Sequence, residues 1–186
     1  MNILLQRPKT LPQWLRLYRL YRTAFPAAER KPVSIMLRMY RAGKSDIWYC
    51  TEDGRFLGLA VTINSPDLIL LDYLAVSKSC RGHGGGSALI QRLQRQYAGR
   101  GFFLEIESTL EPSPNPEQRQ KRKAFYLRNG LKELGVTAEL FGVNMELLGR
   151  DCALDFTGYH AFYRDYYSQW AADHVKPVSG NFRANI

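Results

Sequence analysis

Between residues 12 and 25 the apolar positions fall at helical spacing. Trp14, Leu17, Tyr18 and Tyr21 stand at i, i+3, i+4 and i+7, while Arg16, Arg19 and Arg22 lie elsewhere on the helix. Pro26 ends this helix, FPAAERKP is a loop, and a second short helix is expected from Val33 to Arg41, ending at Gly43. The period then changes. Asp46 to Thr51 (DIWYCT) and Phe56 to Ile63 (FLGLAVTI) read as strands, joined by the turn Glu52-Asp53-Gly54-Arg55. A second turn, Ser65-Pro66-Asp67, precedes Leu68 to Val76 (LILLDYLAV), whose nearly continuous apolar run marks a central strand covered on both faces. A glycine-rich loop follows, then a helix to about Tyr97, then the strand FFLEIE after Gly99-Arg100-Gly101. The proline-rich loop TLEPSPNP leads into a helix with Asn115 as N-cap, Pro116 at N1 and Gln118 at the capping-box position, closed by Asn129-Gly130. Two strands are expected near 132–141 and 143–149. A last helix is expected over about 157–173, where Tyr159, Tyr163, Tyr167 and Trp170 recur at helical spacing. The order predicts an α/β domain with a mixed sheet: a single domain over 1–186, with a core of about 1–150 and a C-terminal helical extension over 151–186.

Composition narrows the class. A chain of 186 residues suits one domain with a real core. Hydrophobic residues at 45% and charged residues at 23% are ordinary globular usage, which argues against disorder. The formal net charge of +9 favours an anionic partner: nucleic acid, a membrane surface or a phosphorylated ligand. Cys50, Cys80 and Cys152 are odd in number and widely spaced, which suits neither a disulfide framework nor a metal site and fits a reducing cytosol. The opening MNILLQRPK holds a three-residue apolar run, too short for a secretory segment, and no apolar stretch reaches membrane length. A cytoplasmic protein with no membrane partner is expected.

The chemistry concentrates between Cys80 and Leu93, which read CRGHGGGSALIQRL. Gly82, Gly84, Gly85 and Gly86 open a helix just after a strand. Glycines there let several backbone N–H groups point at one spot, and the helix start adds partial positive charge; Arg81 adds a formal one. A plain turn needs one or two glycines, so the string points to a phosphate or pyrophosphate. A P-loop needs a lysine before Ser87, and there is none. A Rossmann fingerprint needs Gly or Ala where Ser87 or Leu89 stands. Glu105 does lie where that fold places its ribose-binding acid, but Ser77 to Arg81 separate the strand from the first glycine, and the preceding strands look antiparallel.

Arg81-Gly82-His83-Gly84-Gly85-Gly86, an R-x-x-G-x-G match after a strand ending L-A-V, resembles the acetyl-CoA loop of the GNAT family of N-acetyltransferases. Downstream, FLEIE is similar to that family's next strand. AFYLRNGL (Ala124 to Leu131) is similar to its A-x-x-F-Y-x-x-x-G-F helix end, with Leu131 for the usual Phe and one residue fewer after the Ala. The main match covers about residues 68–131; FPAAER near the N-terminus is a weaker one. The resemblance implies the GNAT acyl-CoA N-acyltransferase fold and acetyl-CoA as co-substrate. It places the pyrophosphate on Arg81, Gly82, Gly84, Gly85, Gly86 and Ser87, and the pantetheine arm along Leu74 and Val76. It implies Glu105 as general base and Tyr126 as the group that assists the CoA thiolate, with carbonyl polarisation by the backbone N–H of Val76 or a neighbour.

Beside the resemblance stand the residues themselves. Direct transfer to an amine needs a base for the ammonium proton and serves a departing thiolate with an acid. Glu105 and Glu107 share one strand face, and Asp72 is a third candidate base that could equally pair with a cation. Arg119, Arg122 and Lys123 share roughly the face of Tyr126, and nearby cations would lower its pKa. Many relatives carry an Asn where Arg119 stands; a basic residue there could reach a phosphate. His83, His160 and His174 read as surface or structural. Cys80 needs no covalent role. The tyrosine stripe reads as packing, a subunit contact or part of an acceptor pocket, and Glu29 and Arg30 fall in a region that often borders the acceptor in such enzymes. The expected activity is acetyl transfer to a primary amine, small-molecule or peptide, by direct attack. The rival from another class is a non-catalytic acyl-CoA sensor or a basic nucleic-acid-binding module; no nucleic-acid signature supports the latter. The acceptor, the acyl length and the oligomeric state are not encoded in any readable motif.

Overall fold

The computed structural model describes residues 2–178, so residues 179–186 of the expected C-terminal extension lie outside the described residues. The chain divides after Leu104 into two compact units. In the first, strands β1 (Ile3–Gln6), β2 (Ser45–Glu52), β3 (Arg55–Asn64), β4 (Leu68–Val76) and the start of β5 (Gly101–Glu107) lie side by side in that order. The first four pair antiparallel, and β4 pairs with β5 in parallel. The helices are α1 (Leu11–Ala24), α2 (Val33–Arg41) and α3 (Gly85–Gln96).

The β2–β3 turn forms at the expected place. Asp53 and Gly54 take φ of 46° and 81°, the left-handed pair that a two-residue hairpin with the native twist requires. On one face of the sheet Leu17, Leu20 and Tyr21 of α1 pack against Ile47, Leu59, Val61, Tyr73 and Ala75. A buried polar network ties in the end of α3. Tyr97 donates its hydroxyl to Asp46 Oδ2 at 2.9 Å and accepts from Trp48 Nε1 at 2.9 Å, while Arg7 holds Asp46 Oδ1 at 2.7 Å.

In the second unit the end of β5, then β7 (Val143–Arg150), β6 (Lys132–Leu140) and β8 (Val175–Pro177) lie side by side, with α4 (Pro116–Arg128), α5 (Phe156–Tyr166) and α6 (Gln169–Ala172). The β6–β7 turn is Phe141-Gly142, with φ of 49° and 81°.

Four local expectations change. The short strand β1 was not anticipated: four residues are too few to show alternation, and their pairing with β2 makes them a strand. The same holds for the three residues of β8, paired with β6. The expected helix over 157–173 is two helices, because Tyr167 closes α5 and Ser168 turns to extended backbone and starts α6 by accepting from Ala171 N at 3.1 Å. Asn115 does precede α4, but no capping box forms: its Oδ1 accepts from Arg119 Nε at 3.2 Å instead.

Candidate active site

In the first unit β4 ends at Val76, and Ser77 N donates to Leu57 O at 2.8 Å. After a short turn, Gly82 and Gly84 take φ of 83° and 82°, conformations that residues with a Cβ rarely adopt. Gly85 opens α3 in close contact with β3; a Cβ there would lie 2.8 Å from Leu57 Cδ1. Among the described residues no side chain caps this helix. The N–H groups of Gly85, Gly86 and Ser87 are those that helix geometry leaves without an intrahelical acceptor, and they form a ready anion site. Arg81 folds back over the strand end, its Nε donating to Val76 O at 3.1 Å. His83 is exposed, and Cys80 Sγ leans on Phe56 O at 3.7 Å.

Two residues that shape this loop escaped the sequence reading. A Cβ on Gly58 would lie 2.2 Å from Ala75 O, so only glycine lets β3 approach the end of β4 there. Leu57 sits at a bulge against β2, beneath Gly85. A lone glycine inside FLGLAVTI was the available signal, since glycine in a strand marks a bulge or a close backbone approach.

Leu74 and Val76 are half-buried and alternate with the buried Tyr73 and Ala75. Among the described residues, β4 pairs with β5 over Leu68–Leu70 against Gly101–Phe103, whereas its pairing with β3 continues to Val76. Asp72 is the extra residue where that β3 register shifts. Its carboxylate, 6% exposed, meets Lys31 Nζ at 2.5 Å, so this third candidate base is held in an ion pair. The segment between α1 and α2 is clasped at the same point. Tyr73 Oη accepts from Lys31 N at 3.1 Å and donates to Glu29 O at 2.8 Å, and Tyr21 Oη donates to Lys31 O at 3.1 Å. Burial pushes both phenols above their ordinary value.

In the second unit Glu105 Oε1 accepts two phenol hydroxyls, from Tyr159 at 2.7 Å and Tyr163 at 2.8 Å. Both tyrosines are completely buried on α5. Two members of the tyrosine stripe therefore orient the candidate base, while Tyr167 stacks on Tyr163 at 4.7 Å. Trp170 belongs to α6 and packs with Phe141 and His174. Glu107, on the same strand face as Glu105, is held by Arg119 at 2.8 Å and Arg122 at 3.3 Å.

Those contacts alter the expectation for Tyr126. Arg119 is occupied inside the protein by Glu107, Ser108 O and Asn115, so it is not a spare cation reaching for a phosphate. Lys123 turns to Glu146 at 2.5 Å and Glu133 at 2.9 Å. Burial raises the Tyr126 phenol above its ordinary value, and Arg122 opposes that only in part. The tyrosine is kept protonated rather than poised as phenolate. His160 and His174 pack against Phe156 and Phe141. Among the described residues no group of His, Cys, Asp and Glu is placed to hold a metal, and no helix is long and apolar enough to cross a membrane.

The glycine loop, β4 and the end of α4 fall within a match to the sequence model of the Acetyltransferase (GNAT) family, residues 14–130. A curated protein of Bacillus subtilis (strain 168), named "Putative acetyltransferase YjbC", is 32% identical over 108 residues, which is 58% of this chain and 52% of that one. The chain thus spans about half the length of that relative. Among solved structures, a GNAT-family protein from Bacteroides thetaiotaomicron aligns with a TM-score of 0.73 at 19% identity, over 90% of this chain and 98% of the other. An aminoglycoside 6'-N-acetyltransferase complexed with coenzyme A aligns at 0.64 and 16% identity, over 81% and 96%. The fold is that of these proteins, and the family match covers more than half of the chain: the protein belongs to the GNAT acetyltransferase family.

Proposed function

We propose that the protein transfers an acetyl group from acetyl-CoA to a primary amine by direct attack. One observation carries this reading. Two left-handed glycines and a third with no room for a Cβ present an uncapped helix start just after β4. Such a site suits a pyrophosphate, and the aminoglycoside acetyltransferase of similar fold is a coenzyme A complex.

Arg81, Gly82, Gly84, Gly85, Gly86 and Ser87 hold the pyrophosphate. The pantetheine amides add to β4 along Leu74 and Val76, as an extra strand would. The amine, relieved of its ammonium proton by Glu105 directly or through a water, attacks the thioester carbonyl carbon. The backbone N–H of Val76 or a neighbour polarises the carbonyl oxygen. The C–S bond breaks as the amide forms, and Tyr126 gives its proton or a hydrogen bond to the leaving thiolate. The buried Tyr159–Glu105–Tyr163 contact supports Glu105 in this role, because a base must be held in place. The raised phenol of Tyr126 supports a donor that stays protonated at neutral pH.

The test is calorimetric titration with acetyl-CoA, with NAD and ATP as controls, followed by thiol detection with a set of amines. Saturable binding of acetyl-CoA alone and CoA release on adding an amine are expected. Binding without release from any amine identifies an acyl-CoA sensor instead, and no binding removes the pyrophosphate assignment.

A further inference from the structure

The positive charge of this protein is not spread over it. Ten of its 26 Lys and Arg residues, and one of its 17 Asp and Glu residues (Glu29), lie between Arg7 and Lys44. That segment alone carries the whole formal excess of +9, and the rest of the chain is balanced. Within it only Arg7 and Lys31 meet an acid among the described residues. Arg16, Arg19 and Arg22 stand exposed on α1, and Arg38 and Arg41 on α2. Charge gathered on one segment creates a local field that concentrates anions there.

The segment is also fastened to the strand proposed to carry the thioester arm. Lys31 meets Asp72, and Tyr73 binds both Glu29 O and Lys31 N, one to four residues before Leu74 and Val76 in β4. Arg30 stands in the middle of this clasp. Arg30 is half-buried, and among the described residues its Nε, shielded from solvent, has no hydrogen-bond partner. A buried donor left unpaired is costly, and a guanidinium is matched in shape to a carboxylate or phosphate.

We infer that the acceptor is an anionic amine, one bearing a carboxylate or phosphate, with Arg30 as its anion-binding residue and the α1–α2 arginines as the field that draws it in. This rests on the acetyltransferase reading above and names the substrate class of the same site. The acid that completes Arg30 belongs to the acceptor, which places the amine beside β4.

The test compares CoA release from matched amines at saturating acetyl-CoA: β-alanine against β-alaninamide, and phosphoethanolamine against ethanolamine. The anionic member of at least one pair is expected to have a kcat/KM about tenfold to a hundredfold above its neutral partner, the range of one charged hydrogen-bonded contact. That preference should shrink as NaCl is raised. Arg30→Gln is expected to narrow the ratio through KM, and Arg30→Lys to restore part of it, in protein whose thermal unfolding matches wild type. Equal or better turnover of the neutral members, or an unchanged ratio in Arg30→Gln, overturns the inference. So does release from none of the four amines when another amine of the wider set does release CoA. Absence of acetyl-CoA binding, or binding without release from any amine, is instead the failure of the acetyltransferase reading, and the titration together with the wider amine set tells the two apart.

Discussion

Tyr159 donates its hydroxyl to Glu105 Oε1 at 2.7 Å, across 54 residues of sequence. Tyr163, one helical turn on, donates to the same oxygen at 2.8 Å. Removing either hydroxyl takes a donor from a carboxylate inside a packed site, a contact worth about 1.5–3 kcal/mol. Tyr159→Phe and Tyr163→Phe are each expected to lower kcat/KM about tenfold, with acetyl-CoA affinity unchanged. Steady-state kinetics beside calorimetry check this; wild-type rates in the double variant would remove Glu105 from the mechanism.

Glu105→Gln keeps the shape of the side chain and removes the base. Its deficit is expected to be largest at low pH, where solvent base is scarce, and a pH–rate profile from 6 to 9 reads it. Tyr126→Phe is expected to lower kcat with little change in acetyl-CoA Kd, since the phenol serves the leaving thiolate. An unchanged kcat would leave that tyrosine a packing residue.

Alkaline pH should destabilise the fold through its phenols. Burial raises Tyr21, Tyr73, Tyr97 and Tyr126 above the ordinary value of 10.0, which favours their neutral forms in the folded state. Their contribution is complete below pH 10 and is lost as pH rises towards the higher folded values, because the unfolded chain releases its protons first. Urea unfolding between pH 8 and 11 should show a plateau and then a decline; stability that holds through pH 11 would contradict it.

Lys123 and Glu146 form a buried pair, 11% and 6% exposed at their side chains, and Glu146 also accepts from Thr109 N and Oγ1. Burial pushes the Glu146 carboxyl up, but the bonds from Lys123 and Thr109 outweigh it and the net shift is downward. Lys123→Met should cost about 3–5 kcal/mol, because it strands a buried carboxylate. The carboxylate's contribution is present above its ordinary value of 4.5 and is lost as pH falls through the lower folded value. Denaturant melts of wild type and variant at pH 3 to 7 should therefore converge at the acid end.

Gly58→Ala and Gly85→Ala separate the strand from the loop. A Cβ at Gly58 meets the backbone oxygen of Ala75 at 2.2 Å, whereas at Gly85 it meets the end of a leucine side chain at 2.8 Å. A side chain can turn aside more cheaply than a strand can. Gly58→Ala should lower the melting temperature more, and Gly85→Ala should act chiefly on acetyl-CoA affinity. The reverse order would mean that β3 yields more easily than the loop.

Local pattern determined most of what could be read from this sequence. Apolar patterning and turn signals located α1 to α3 and the six longer strands, and the end signals Pro116 and Asn129-Gly130 located α4, because each of these marks lies within or beside the element itself. The glycine string near residue 84 was legible because an unusual backbone conformation leaves a local mark, and the AFYLRNGL helix end was legible through its resemblance to the family's pattern. Tertiary structure decided what depends on partners distant in sequence. Three or four residues at β1 and β8 become strands only when another strand is there to pair with them. Asp72, Glu105 and Glu107 look alike as acids in strands; Lys31, the tyrosines of α5 and the arginines of α4 give them different work. The cations expected to activate Tyr126 were mostly claimed by carboxylates, and burial set its proton instead. An ionisable side chain takes its character from what packs against it, and for these residues that neighbour lies on another element of the fold.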